Sequence, residues 1–171
     1  MVELERQNKR INTRIYNKVY KNLRKVIEND VPINHVGSTA VPNMYGKNII
    51  DVLVGVKDET ELDDLTLKLK NLGYFPGRNS SGMVYRFFAS TEEETKSGDI
   101  HIHLVIIDSD RYKDFLISKE YLLKNKSERD KYSNFKKSLI KNGYFVRDDY
   151  KSLKSEYVSA LLERARKDIN I

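Results

Sequence analysis

An apolar run at residues 49–56, Ile-Ile-Asp-Val-Leu-Val-Gly-Val, leaves few ways for this chain to fold. A run so rich in β-branched residues reads as a strand buried on both faces, and such a strand needs a sheet with cover above and below. Asp51 interrupts it. An aspartate costs free energy to bury unless it is paired or bound to a metal. It therefore belongs at the strand end, where it meets a ligand, or beside a basic partner. Lys47, four residues earlier, is in reach either as that partner or as a group that holds a phosphate. Ahead of both lies a small-residue turn, Gly37-Ser38-Thr39-Ala40, of the sort that offers backbone N–H groups and a hydroxyl to a phosphate.

The flanking segments say what covers the sheet. Ile11, Ile15, Val19, Leu23 and Ile27 recur every four residues, and Tyr16, Tyr20 and Val26 widen the stripe. This predicts one amphipathic helix over residues 3–29, stopped by Val31-Pro32. Its neighbouring face carries Arg10, Arg14, Lys18, Lys21 and Lys25, which reads as a solvated face before it reads as a nucleic-acid contact. Thr60 with Asp63 resembles a capping box opening a second helix, on which Leu62, Leu65, Leu69 and Leu72 keep helical spacing up to Gly73. Met83–Ala89 and Ile100–Ile107 read as a hairpin around the polar turn 91–98, and the segment 78–82, RNSSG, as a loop near a site. From Asp108 the pattern is helical: Ser109 or Asp110 caps a helix through Asn125, and Ser127 caps another aligned on Tyr132, Phe135 and Leu139. Tyr150, Leu153, Tyr157 and Leu161 define a last helix. The expected fold class is α+β, one domain over residues 1–171: an α/β core with an N-terminal helix at 1–108, holding a small mixed sheet flanked by helices, then a helical C-terminal part at 109–171.

Composition narrows the chemistry. The chain has no cysteine, which removes disulfides, thiolate metal sites and a cysteine nucleophile, and suits a cytoplasmic location. No apolar run is long enough to span a membrane, and the start is charged from Glu3 onward without a signal-peptide core, so no membrane partner is expected. The net charge of +6 permits phosphate-bearing partners without establishing one, because the excess is lysine scattered among acids.

The strand at 99–107 alternates, with Ile100, Ile102, Leu104 and Ile106 on one face and Asp99, His101 and His103 on the other. If it neighbours the Asp51 strand, then Asp51, His101 and His103 converge, with His35 and Ser38 at the rim. Such a cluster binds a divalent metal or supplies a general base; alternatively, the histidines simply face solvent. Gly46-Lys47-Asn48 is not a P-loop, since no Ser or Thr follows the lysine and Val41 stands where the first glycine belongs. The chain also lacks GxSxG and GxGxxG.

His35-Val36-Gly37-Ser38-Thr39-Ala40-Val41-Pro42, followed by Lys47-Asn48-Ile49-Ile50-Asp51, resembles the signature of the GrpB family. Leu72-Gly73-Tyr74, His101-Ile102-His103, Tyr132 with Lys136 and Tyr150 with Lys154 fit the same pattern. The resemblance implies a nucleotidyltransferase-like fold. In that superfamily a Gly-Ser turn precedes two acids separated by one residue, and the carboxylates hold metal ions that orient a nucleotide triphosphate. Twelve residues lie between Ser38 and Asp51, as the pattern asks, but Leu53 stands where the second acid belongs. The resemblance thus implies a nucleotide or phosphorylated small molecule held by Gly37, Ser38, Thr39 and Lys47. Asp51, His101 and His103 would bind a divalent metal, Mg²⁺ or Mn²⁺, and Asp51 and His103 would be catalytic. Leu53 leaves activity open, so the rivals are a non-catalytic module for a ligand, nucleic acid or protein partner, and a metal-dependent phosphohydrolase.

Overall fold

The computed structural model describes residues 3–77, 82–91, 99–144 and 147–169. The apolar run forms β4 (Ile50–Val56) inside a five-stranded sheet. Its neighbours are β2 (Ile33–Val36), antiparallel, and β7 (Ile100–Ile106), parallel; β6 (Tyr85–Ala89) and β5 (Phe75–Pro76) continue beyond β7 in antiparallel pairs. The sheet is mixed, and β6 and β7 pair as the expected hairpin. Strand β6 starts at Tyr85, because Met83 and Val84 are exposed and have no core to enter. The loop expected at 78–82 and the turn at 91–98 fall almost wholly outside the described residues.

Alternation along β4 and β7 sorts their side chains between two cores. Ile50, Val52, Val54 and Val56 join Ile102 and Leu104 on the face covered by α1 (Lys9–Leu23) and α2 (Glu59–Asn71), where Val19, Leu23, Leu62, Leu65 and Leu69 meet them. Leu53 and Val105 point the other way, onto Tyr112 of α3 (Asp110–Lys124). Two further helices, α4 (Lys126–Lys141) and α5 (Arg147–Ile169), pack with α3, and a third core joins them to Val41 and Met44 after the glycine-serine turn. The α+β class with its helical C-terminal part is as expected.

Several boundaries differ. Helix α1 begins only at Lys9, because the Asn8 side chain accepts hydrogen bonds from the Arg10 and Ile11 N–H groups and caps it there. Residues Glu5–Arg6 form β1, paired antiparallel with β3 (Tyr45–Gly46), so the predicted helix over 3–29 is shorter at both ends. Ile11 and Ile15, taken as core by their spacing, are 55% and 38% exposed. The inward place at that end belongs to Asn12, which donates to Gln7 Oε1 at 2.9 Å, while Gln7 donates to the Gly46 carbonyl at 2.9 Å. Helix α2 is capped by Asp58, which accepts from Glu61 N–H, while the Glu61 carboxylate accepts from Lys57 N–H; the box lies two residues ahead of the predicted Thr60 and Asp63. Ser109 caps α3 as read, and Asn125 rather than Ser127 caps α4.

Candidate functional site

The parallel register sets Asp51 opposite His101 and Leu53 opposite His103. Side chains of one parity share a face, so the acid and both imidazoles meet on the α3 side. The Asp51 carboxylate lies 3.3 Å from His103 Nε2 and 3.5 Å from His101 Nδ1. Burial alone would push Asp51 up, but the hydrogen bonds from His101 and His103 prevail and hold it well below the usual carboxylate range. His103 is engaged on both sides: its Nδ1 lies 3.0 Å from the Tyr85 hydroxyl. In the neutral ring, then, Nε2–H donates to Asp51 and Nδ1 accepts from Tyr85. Phe87 meets the His101 ring edge-on at 4.8 Å and Phe115 lies 4.8 Å from that of His103.

The glycine-serine turn presses on this group. Gly37 has φ +72°, and a Cβ there would fall 2.2 Å from Asp51 Oδ2, so only glycine meets both demands. Gly46 keeps a second gap open: a Cβ there would fall 2.2 Å from Ser38 Oγ and 3.5 Å from Lys136 Nζ, which places that hydroxyl and that ammonium beside one another.

Between the ends of β4 and β7 and helices α3 to α5 lies a cavity of about 610 Å³. Gly37, Ser38, Lys47, Asp51, His101 and His103 all line it. Thr39 and His35 do not. Thr39 is buried and its hydroxyl donates to the Ile49 carbonyl at 3.0 Å while accepting from His35 Nε2–H at 3.0 Å. His35 stacks on Tyr16 with centroids 4.6 Å apart, and burial, aided by Lys119, pulls it down to about 4, so its ring is neutral at pH 7. These two brace the turn from behind.

The helical part supplies basic groups that join Lys47 around the cavity and that sequence reasoning did not assign to the site. Lys47, Arg111, Lys119, Lys136, Lys151 and Lys154 line the cavity against only two acids, Asp51 and Asp114, an excess of four basic side chains. Lys136 is 3% exposed, with its Nζ 4.5 Å from the centroid of the Tyr132 ring. Burial, and then Lys154 beside it, brings Lys136 down to about 7. Lys154 is also lowered, by burial, with Asp51 pulling the other way. Lys47 Nζ sits 5.3 Å from the Tyr150 ring centroid, and burial pushes the Tyr150 hydroxyl up to about 12. The available signal was the pairs Tyr132 with Lys136 and Tyr150 with Lys154, each four apart on one helix face.

The divalent metal implied by the resemblance does not find a ready ligand set. Both imidazole nitrogens facing Asp51 sit at hydrogen-bond distance from its carboxylate instead of converging with it on a shared point, and Leu53 is fully buried where a second acid would project. Among the described residues, no three His, Cys, Asp or Glu side chains are grouped to hold a metal ion. Nor is any described helix long and apolar enough to cross a membrane.

Residues 2–164 match the family described as GrpB protein. A UPF0157 protein of Streptomyces coelicolor is 29% identical over 137 residues, covering 80% of this chain and 69% of that protein. A UPF0157 protein of Halalkalibacterium halodurans is 27% identical over 154 residues, covering 89% and 76%. The crystal structure of conserved protein GrpB from Enterococcus faecalis superposes with a TM-score of 0.83 at 21% identity, covering 99% of this chain and 100% of that one. With its glycine-serine turn seated on the acid of a helix-covered mixed sheet, the chain belongs to the GrpB family.

Proposed function

We propose that this chain binds a nucleotide or another phosphorylated small molecule in the cavity between the sheet and the C-terminal helices. The observation that carries the reading is the set of six basic side chains and two acids around a cavity that opens onto the Gly37-Ser38 turn. Its volume, about 610 Å³, falls in the usual range for small-molecule sites. Ser38 offers its hydroxyl and the turn its N–H groups to phosphate oxygens, and Lys47 adds charge from the wall. Asp51 and His103, with Tyr85 behind, form a chain of proton donors and acceptors suited to taking the proton of an attacking hydroxyl. On that reading the protein transfers a nucleotidyl group from a nucleoside triphosphate: the hydroxyl oxygen bonds to the α-phosphorus, diphosphate leaves, and the Asp51 carboxylate, oriented by His103, takes the proton. Fully buried Leu53 favours a second reading, in which the same cavity binds its ligand without turnover.

The test is thermal unfolding of the full chain with a panel of nucleotides and sugar phosphates, with and without Mg²⁺ or Mn²⁺. A ligand at about a hundred times its Kd adds roughly 2.7 kcal/mol of stability, a clear shift in Tm. Lys47→Ala should reduce the shift. If no phosphorylated compound moves Tm under any condition, the reading is wrong. Release of diphosphate with an acceptor present then separates transfer from binding alone.

A further inference from the structure

We propose that the cavity takes a diphosphate or longer phosphate chain, gripped by Lys136 and Lys154 in the place that divalent metal ions would otherwise fill. This rests on the phosphorylated-ligand reading and narrows it to a ligand class and a means of neutralisation.

Lys136 is the starting point. It projects from α4 into the cavity while the residue is 3% exposed. Apart from the Tyr132 ring beneath its ammonium, the charged group that acts on it is Lys154, of the same sign. Among the described residues no carboxylate pairs with it. A buried ammonium without a counter-ion is unfavourable, and a second beside it makes matters worse. Packing does not require either charge, since an unbranched apolar side chain would cover Tyr132 as well. An anionic ligand supplies the missing partner for both.

The field in the cavity has the wrong sign for metal ions. In a two-metal site, carboxylates collect cations and the cations then neutralise phosphate. Here that order is inverted. Leu53 removes one carboxylate, the two histidines occupy Asp51, and Asp114 is ion-paired with Arg166. The wall keeps an excess of four basic side chains, counted as six against two. Such a wall repels a divalent cation and attracts a phosphate chain, and its excess suits the charge of a diphosphate or triphosphate better than that of a monophosphate.

Lys136 Nζ and Ser38 Oγ flank the gap kept open by Gly46, so an anion seated on the glycine-serine turn meets the α4 ammonium at once. Lys154 comes from α5, a separate element, and Asp51 favours its charged form. The two lysines thus approach the ligand from different helices, and a chain of two or more phosphoryl groups can span them.

The experiment is isothermal titration of the full chain at pH 7 with pyrophosphate, ATP and AMP, each first in EDTA and then in excess Mg²⁺. Pyrophosphate and ATP should bind in EDTA, about tenfold or more tighter than AMP, and Mg²⁺ should weaken them by masking ligand charge. Lys154→Gln, at a half-buried position, should weaken pyrophosphate about tenfold with an unchanged circular dichroism spectrum; Lys136→Met should do the same or more. Should Lys136→Met fail to fold, Lys154→Gln decides. Binding seen only with Mg²⁺ or Mn²⁺ overturns this proposal and leaves the phosphorylated-ligand reading standing. Equal affinity for AMP and pyrophosphate overturns the ligand class, and unchanged affinity in the lysine variants overturns the assignment of the grip. Absence of binding to every phosphorylated compound, with or without metal, overturns both readings together.

Discussion

Replacing Lys136 with methionine should stabilise the protein at neutral pH, and the gain should shrink as the pH rises. Burial and Lys154 bring the Lys136 amine from 10.5 to about 7. At roughly 1.4 kcal/mol for each pH unit, that drop corresponds to about 5 kcal/mol of cost for the folded ammonium. An amine at a cavity wall keeps part of its hydration, so about 3 kcal/mol is the expected size. The sign follows from proton counting. Between about pH 7 and 10.5 the unfolded chain holds the proton and the folded chain has released it, so wild-type stability rises with pH across that window. Below pH 7 the folded protein carries the full cost. Methionine keeps the unbranched stem over Tyr132 and removes the charge, and with it the repulsion by Lys154 already contained in that cost. Urea unfolding of both proteins at pH 6.5, 8 and 9.5 should show the variant ahead by about 3 kcal/mol at the lowest pH and by only about 1.4 kcal/mol at the highest, one unit short of the free lysine value. A difference that does not change with pH, or a variant less stable at pH 6.5, would refute the claim that burial and Lys154 disfavour the charged form of this lysine. The same variant is the one expected to lose pyrophosphate binding, so stability and ligand affinity should move in opposite directions.

Other outcomes follow from the same geometry. Gly37→Ala meets both a positive φ and the Asp51 carboxylate 2.2 Å from the new Cβ, so urea unfolding should show a loss of about 2–4 kcal/mol; a loss under about 1 kcal/mol would mean the turn relaxes freely. Thr39→Val removes the hydroxyl that joins Ile49 to His35, which should lower stability by about 1–3 kcal/mol and leave pyrophosphate affinity within about twofold. The reverse pattern, weaker binding at full stability, would make Thr39 a ligand contact. Asp51, held below its ordinary 3.8, stabilises the fold above that pH and ceases to as the carboxyl protonates on acidification. Asp51→Asn should therefore flatten the acid limb of the stability curve below about pH 4, and an unchanged limb would show that the two histidines do not hold the carboxylate.

Much of the sheet side of this site was legible in the chain. The Ile49–Val56 run and the alternation from Ile100 to Ile106 are local patterns with a period of two, and a parallel register between them was enough to bring Asp51, His101 and His103 to one face. The glycine-serine turn was legible because few residue types tolerate its backbone. Its third member, Thr39, lies behind the cavity instead of lining it, for a physical reason. A threonine hydroxyl looks alike in sequence whether it faces a ligand or a backbone carbonyl, and only the folding of β2 beside β4 turned Thr39 inward to Ile49. The start of α1 was missed because an every-four pattern of isoleucines says nothing of the Asn8 cap or of the Gln7–Asn12 pair that takes the inward place.

Side-chain period and backbone preference within a few residues were enough to mark β4, β6 and β7, the helical tail, the turn and the lone acid, but not the short strands β1, β2, β3 and β5. Tertiary structure alone decided the charge of the cavity. Lys136 and Lys154 are two among many lysines in the chain, and beyond a tyrosine four residues before each nothing local marks them out. They become part of the site only when α4 and α5 fold back over the end of β4, because desolvation and like-charge repulsion act through space, between groups far apart along the chain.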